Sequence, residues 1–167
     1  MKKILNMVDS ISEWSGKIFS YLVLPIMILE TGEVIARYVF NVPTEWSWEV
    51  ASILAGAMFI MGGAWVLKEE GHVRTDIVYA LLNKRWKAFF DLFFFTVIFF
   101  SFAGVMIWTS VPKTIYSVKI LERTFTSWAP PLYPLKIIIT TAFIFLGLQG
   151  LAKWIRSAYF LIKGEDL

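Results

Sequence analysis

The chain has 167 residues, 57% hydrophobic and 17% aromatic, with a mean hydropathy of +0.64, and a soluble domain of that composition cannot keep its surface wet. It has no cysteine and one histidine, His72, which excludes disulfides, thiolate metal sites, iron–sulfur ligation, cysteine nucleophiles and bis-histidine haem ligation within the chain. The net charge is +3, and in a membrane protein the placement of the basic residues says more than their sum.

Four long apolar stretches, roughly 18–40, 48–67, 86–111 and 132–151, dominate the sequence. Each is long enough to cross a hydrocarbon core of about 30 Å, which takes about 20 helical residues. Because lipid offers no hydrogen-bond partner to an exposed backbone, these stretches predict an all-α integral membrane fold of four transmembrane helices, read as a single domain over 1–167.

Before the first span, Ile4, Leu5, Met7, Val8, Ile11 and Trp14 form an approximate helical stripe, able to lie on the inner leaflet or to extend the span. Asp9, Glu13 and the lack of a small-residue cleavage pattern argue against a removable signal peptide. Pro25 lacks a backbone donor and predicts a kink within the span. Asn41-Val42-Pro43-Thr44 then signals a tight turn, which makes the first two spans antiparallel neighbours.

In the second span Glu49, Ser52, Gly56 and Gly63 fall within about a 60° arc at 100° per residue. A small-residue face of this kind lets another backbone come close, either within the four-helix unit or in another subunit. Residues 68–76 are polar, and the apolar run 77–82 is too short to cross. Thr75 or Asp76 can cap a short amphipathic helix over roughly 75–85, lying parallel to the membrane. His72, Arg74 and Asp76 would anchor it, with Lys84, Arg85 and Lys87 against anionic headgroups.

The third span is dense in phenylalanine and apolar around its circumference. After Pro112 the connection through Tyr116, Lys119, Arg123 and Trp128 to Pro130-Pro131 is the largest region available to something outside the membrane. The fourth span begins near Pro134, with Lys136 able to snorkel outward.

Only Arg37, Lys113, Lys119, Arg123 and Lys136, five of the sixteen basic residues, fall on the side opposite the termini. That bias places both termini, and the interfacial helix, in the cytoplasm. Tryptophan agrees with it: Trp14, Trp65, Trp86 and Trp154 mark one boundary and Trp46, Trp48, Trp108 and Trp128 the other.

The sharpest chemical signal is Glu30, Glu33 and Arg37, which offsets of three and four place on one helical face. A charge near the bilayer centre costs about 2.5–3.5 kcal/mol on insertion scales, so such groups face protein or a water-filled cavity. Glu33 can pair with Arg37, which can also reach Glu45 or Glu49 across the turn. Three readings fit: a proton-exchanging acid in a transporter, a polar seam with another membrane subunit, or a pair stabilising this bundle alone. The first has a concrete form in small four-span multidrug antiporters, which carry an essential glutamate in the first span. Such a protein would act here as an independent homo-oligomer centred on Glu30. The neighbouring arginine works against it, because positive charge lowers the acid's pKa and competes with a cationic drug. No nucleophile–base pair or metal cluster supports an enzyme.

Arg37-Tyr38-Val39-Phe40-Asn41, Pro43, Trp48-Glu49, Gly62-Gly63-Ala64 and Gly71-His72-Val73-Arg74-Thr75-Asp76 together resemble the small membrane subunit (DctQ type) of tripartite ATP-independent periplasmic (TRAP) transporters. The likeness runs along the whole chain, and the glycine-histidine-valine-arginine-x-aspartate stretch is its most specific part. It implies a bacterial inner-membrane uptake system, in which a periplasmic protein captures an organic acid and a large elevator-type subunit carries it inward with sodium. This chain would be the scaffold, partnered by the large subunit, the periplasmic binding protein and membrane lipids, with no nucleic acid, cofactor, metal or substrate-binding residue of its own. Glu30, Glu33, Arg37 and Glu49, with the face of Ser52, Gly56 and Gly63, are the expected bundle and subunit contacts. Tyr116, Lys119, Arg123 and Trp128 are the expected docking residues for the periplasmic protein.

Overall fold

The computed structural model describes residues 2–69 and 83–164. Its elements are α1 (Lys2–Ser20), α2 (Val23–Tyr38), α3 (Ser47–Lys68), α4 (Lys84–Phe94), a π-helical turn (Phe95–Phe99), α5 (Phe100–Lys119) and α6 (Tyr133–Lys163). Among the described residues four runs are long and apolar enough to cross a membrane: Lys2–Tyr38, Ser47–Lys68, Leu92–Lys119 and Tyr133–Lys163. The predicted all-α, four-span architecture is therefore the observed one. The expected interfacial helix falls largely outside the described residues, as do His72, Arg74 and Asp76. Lys84 and Arg85 instead open α4, where the Asn83 side-chain oxygen accepts a 3.0 Å hydrogen bond from the Trp86 backbone N–H, as a helix cap does.

Pro25 acts earlier than its position in the span suggests. It stands in the first turn of α2, where a missing donor costs nothing, and its ring excludes the carbonyl four residues back, that of Tyr21. The helix is accordingly interrupted at Tyr21–Leu22. There Tyr21, Leu22 and Leu24 donate to carbonyls three residues back, at 3.1–3.3 Å, before the regular ladder resumes at Ile26. The stripe at the amino terminus becomes a full helix, α1, packed on α3 and α6 through Leu5, Ser12, Ser15 and Gly16.

Helices α1, α3 and α6 pack on one another in the middle of the assembly. Central α3 touches α1, α2 and α6, and α6 touches α1, α3, α4 and α5. Hydrocarbon gives helices no hydrophobic reason to associate, so close backbone approach has to supply the attraction. The contact faces are small accordingly: Ala51, Ala57 and Ala64 of α3, and Ala142, Gly150 and Ala152 of α6, are all buried. Two glycines carry the tightest crossings. A Cβ on Gly16 would lie 2.7 Å from Trp65, and one on Gly150 would lie 2.0 Å from the Phe99 ring. Phe99 ends the π-helical turn, whose wider winding sets this ring over Gly150.

The glycine face predicted in the second span is not used this way. Ser52 and Gly56 are exposed and Gly63 half-buried, and a Cβ on Gly56 or Gly63 would meet no atom within 4 Å. Of the two readings of that face, packing inside the four-helix unit is therefore not what is observed.

Two helices outrun their predicted spans. Pro112, expected to end the third, lies inside α5, which continues to Lys119. Beside it the Thr109 and Ser110 hydroxyls donate to the Val105 and Ile107 carbonyls, at 2.8 and 3.3 Å, and proline deprives only the Trp108 carbonyl of its usual backbone donor. The last helix runs on to Lys163, because its charged extension packs on α1, and it stops at Gly164, whose left-handed φ of 72° suits glycine.

These packing differences separate the glycines. Gly150→Leu is expected to destabilise the chain by about 1–3 kcal/mol through overpacking, whereas Gly56→Leu should leave it unchanged. Thermal unfolding of the purified chain in detergent measures both.

Candidate functional site

The charged face of α2 is assembled at the end of the bundle opposite the termini. Glu33 is the one residue of α2 that is buried. The Arg37 guanidinium donates to its Oε1 from Nη2 at 2.7 Å and from Nε at 3.1 Å. The Thr44 backbone N–H donates to Oε2 at 3.2 Å, and the Thr44 hydroxyl donates to the same oxygen. The predicted tight turn is thus wrapped around this carboxylate. Asn41, at a φ of 55°, supplies the left-handed residue that reverses the chain, and the Val42 N–H closes onto the Ala36 carbonyl at 3.0 Å.

A cleft of about 260 Å³ opens beside this cluster, lined by Glu30, Glu33, Val34, Arg37, Tyr38, Ser47 and Trp48. Glu30 is half-buried in it, without a hydrogen-bond partner among the described residues. Glu49 does not join the cluster. Its Oε2 accepts from the Thr126 hydroxyl at 2.8 Å, so Arg37 answers to Glu33 rather than to Glu45 or Glu49.

That Thr126 contact ties down the long connection after α5. The loop is further held by an antiparallel bridge between Arg123 and Pro131, by Thr124 N–H to the Pro130 carbonyl, and by Leu132 N–H to the Glu122 carbonyl. Trp128 packs against Trp46 with ring centroids 6.2 Å apart. Of the expected docking residues, Tyr116 and Lys119 are exposed, while Arg123 donates to the Ala129 carbonyl at 3.1 Å and so braces its own loop. Phe125, overlooked in the sequence, is the loop's most exposed side chain, at full exposure. Its polar setting between Thr124 and Thr126, in the connection outside the spans, was the signal that separates it from the phenylalanines of the third span.

A second polar cluster, at the termini-bearing end, was also not anticipated. Buried Gln149 accepts from the Ser12 hydroxyl at 2.8 Å and donates to Asp9 at 2.9 Å. Arg156 grips the same aspartate from Nη1 at 3.2 Å and Nη2 at 2.6 Å. Glu13 pairs with both Lys17 and Lys68. The available signal was Asp9 and Glu13, one helical turn apart, together with a lone glutamine in an apolar span.

Removing the Glu33 carboxylate leaves Arg37 and Thr44 without their acceptor. Glu33→Ala should therefore lower the unfolding temperature of the isolated chain, while Glu30→Ala should leave it nearly unchanged; thermal unfolding in detergent compares them. In the loop, the hydrogen bond from the Lys136 ammonium holds the Glu122 carboxyl below its ordinary pKa. A depressed folded pKa means a contribution present above the unfolded glutamate pKa and lost as pH falls through the folded value. Protease cleavage within 120–132 should thus increase on acidification through that window, and Glu122→Gln should abolish that dependence.

No curated protein matches the sequence. The family model described as tripartite ATP-independent periplasmic transporters, DctQ component, matches residues 26–159, from the start of α2 through most of α6, and so takes in both the charged cleft and the braced loop. The chain belongs to the DctQ family: it is a small membrane subunit of a TRAP transporter, a transport component and not an enzyme.

Proposed function

We propose that this subunit is the stationary scaffold of a sodium-coupled uptake system for an organic acid anion. It would steady the large elevator-type membrane subunit and help present a docking surface to the periplasmic binding protein. The observation that carries this reading is the uncovered small-residue face of α3. Gly56 and Ser52 are exposed and Gly63 is open, and in lipid such a face attracts another helix through close backbone contact. Helix α2 points the same way, since it touches α3 and buries little besides Glu33. The excess of basic residues on the terminal side supports cytoplasmic termini in a bacterial inner membrane, with the 120–132 loop in the periplasm. The unit comprises the whole chain acting as a single membrane domain.

In this arrangement Lys119 and Phe125 face the binding protein, while Arg123 keeps the loop in shape. Membrane lipids cover the remaining apolar faces, including the exposed rings of Phe93, Phe94 and Trp108.

Reconstitution in liposomes tests the assignment. Sodium-dependent uptake should appear only when the small, large and periplasmic components are combined. Activity from liposomes holding this chain alone would instead make it an independent homo-oligomeric transporter acting through Glu30. Gly56→Leu should lower recovery of the large subunit by about tenfold, a loss of about 1.4 kcal/mol in association, because a bulky side chain separates the helices. Lys119→Glu should raise the concentration of binding protein needed for half-maximal uptake without lowering recovery of the membrane complex. Normal assembly of the Gly56 variant would remove α3 from the seam.

A further inference from the structure

We propose that Glu30 receives a lysine or arginine side chain from a membrane helix of the large subunit. The inference deepens the scaffold reading and rests on it, naming the chemistry of the group that fills the cleft between α2 and α3.

The charges in the cleft do not cancel. It holds two carboxylates, Glu30 and Glu33, and one guanidinium, Arg37. Arg37 is committed to Glu33 through both Nη2 and Nε, and Glu33 is further occupied by the Thr44 hydroxyl and backbone N–H. In formal charge the cleft thus holds one carboxylate more than it holds cations, and the one without a hydrogen bond is Glu30, on which Arg37 acts only through space. Among the described residues nothing hydrogen-bonds that carboxylate, while Arg37 and Glu33 already form a complete pair above it.

Depth decides what can answer this charge. Glu30 lies two helical turns before Tyr38, the last residue of α2, which is about 12 Å along the axis. With Tyr38 at the boundary, the carboxylate is well inside a hydrocarbon core of about 30 Å. A carboxylate at that depth is tolerated when a counter-charge from neighbouring protein reaches it. The ammonium of a lipid headgroup stays at the boundary, whereas a basic side chain on an adjacent helix can enter at the level of Glu30. The walls of the cleft fit such a guest. Trp48 and Tyr38, 74% and 77% exposed, line it together with apolar Val34. Aromatic faces beside a carboxylate suit a guanidinium or ammonium, which they attract through the ring quadrupole while keeping water away.

Co-expression of this chain with its large subunit, followed by co-purification, tests the inference. Glu30→Gln should lower recovery of the large subunit about tenfold while leaving the variant's own yield and size-exclusion profile unchanged. Glu30→Lys should lower it further, and changing one membrane-embedded lysine or arginine of the large subunit to glutamate should restore it. Neutralising that same large-subunit residue against the unaltered small subunit should reproduce the Glu30→Gln loss, a readout that stands even where a Glu30 variant fails to accumulate. Undiminished recovery with Glu30→Gln, alongside a loss with Gly56→Leu, would overturn this inference and leave the scaffold reading intact. Undiminished recovery with both would overturn the two together. Recovery that follows the ethanolamine phospholipid content, and no large-subunit cation, would assign the cleft to a lipid ammonium and overturn the inference as well.

Discussion

A buried carboxylate must be satisfied on the spot, and the geometry of this subunit follows from how Glu33 meets that demand. One acid draws in the guanidinium a turn above it and the hydroxyl and N–H of Thr44 across the chain reversal. Those bonds set where α2 ends, how sharply the turn closes and how α3 begins. Because one buried carboxylate holds all of these partners at once, the cluster behaves as a unit. Helix α2 otherwise contributes little buried surface, so its position against α3 depends on this polar attachment.

The opposite end repeats the logic with different groups. Gln149 and Arg156 of α6 converge on Asp9 of α1, and Lys68 of α3 reaches Glu13 of the same helix. The helices meet through alanine and glycine, and the two tightest crossings, Phe99 over Gly150 and Trp65 over Gly16, stand beside this second cluster. Polar specificity and the closest packing thus coincide at the termini-bearing end, while hydrogen bonds to Glu33 hold the opposite one. An arrangement of that kind resists sliding and tilting of its helices, as befits the fixed support proposed for a moving neighbour. The faces left over, on α2 and along Gly56 of α3, lie on the side where that neighbour would sit.

Much of this was legible in the residues, for identifiable reasons. Span number and helical class follow from apolar length, since the bilayer imposes one dimension on all four runs. The Glu33–Arg37 pair follows from helical spacing alone. The partners of Glu49, Asp9 and Gln149 do not, because each lies at least 77 residues away in the chain and no local rule links them. Pro112 misled about the end of the third span, since proline removes one donor but packing against α6, as at Thr114, carries the helix past it. The glycines misled in a subtler way. Spacing picked out Gly56 and Gly63, yet the crowded positions are Gly16 and Gly150, which carry no repeating pattern and are identified only by the aromatic rings lying on them.

The π-helical turn at Phe95–Phe99 has a consequence for any comparison along this span. Its winding accommodates one residue more than an α-helix of the same rise, so side chains beyond it are displaced by about 100° from a uniform register. A helical wheel drawn straight through from Lys84 to Lys119 would therefore rotate Ala103 and Thr114 away from α6, although Ala103 is buried and the Thr114 hydroxyl meets that of Thr140 at 2.8 Å. Relatives that lack the extra residue should align cleanly on one side of the turn and show a one-position gap, rather than divergent chemistry, on the other.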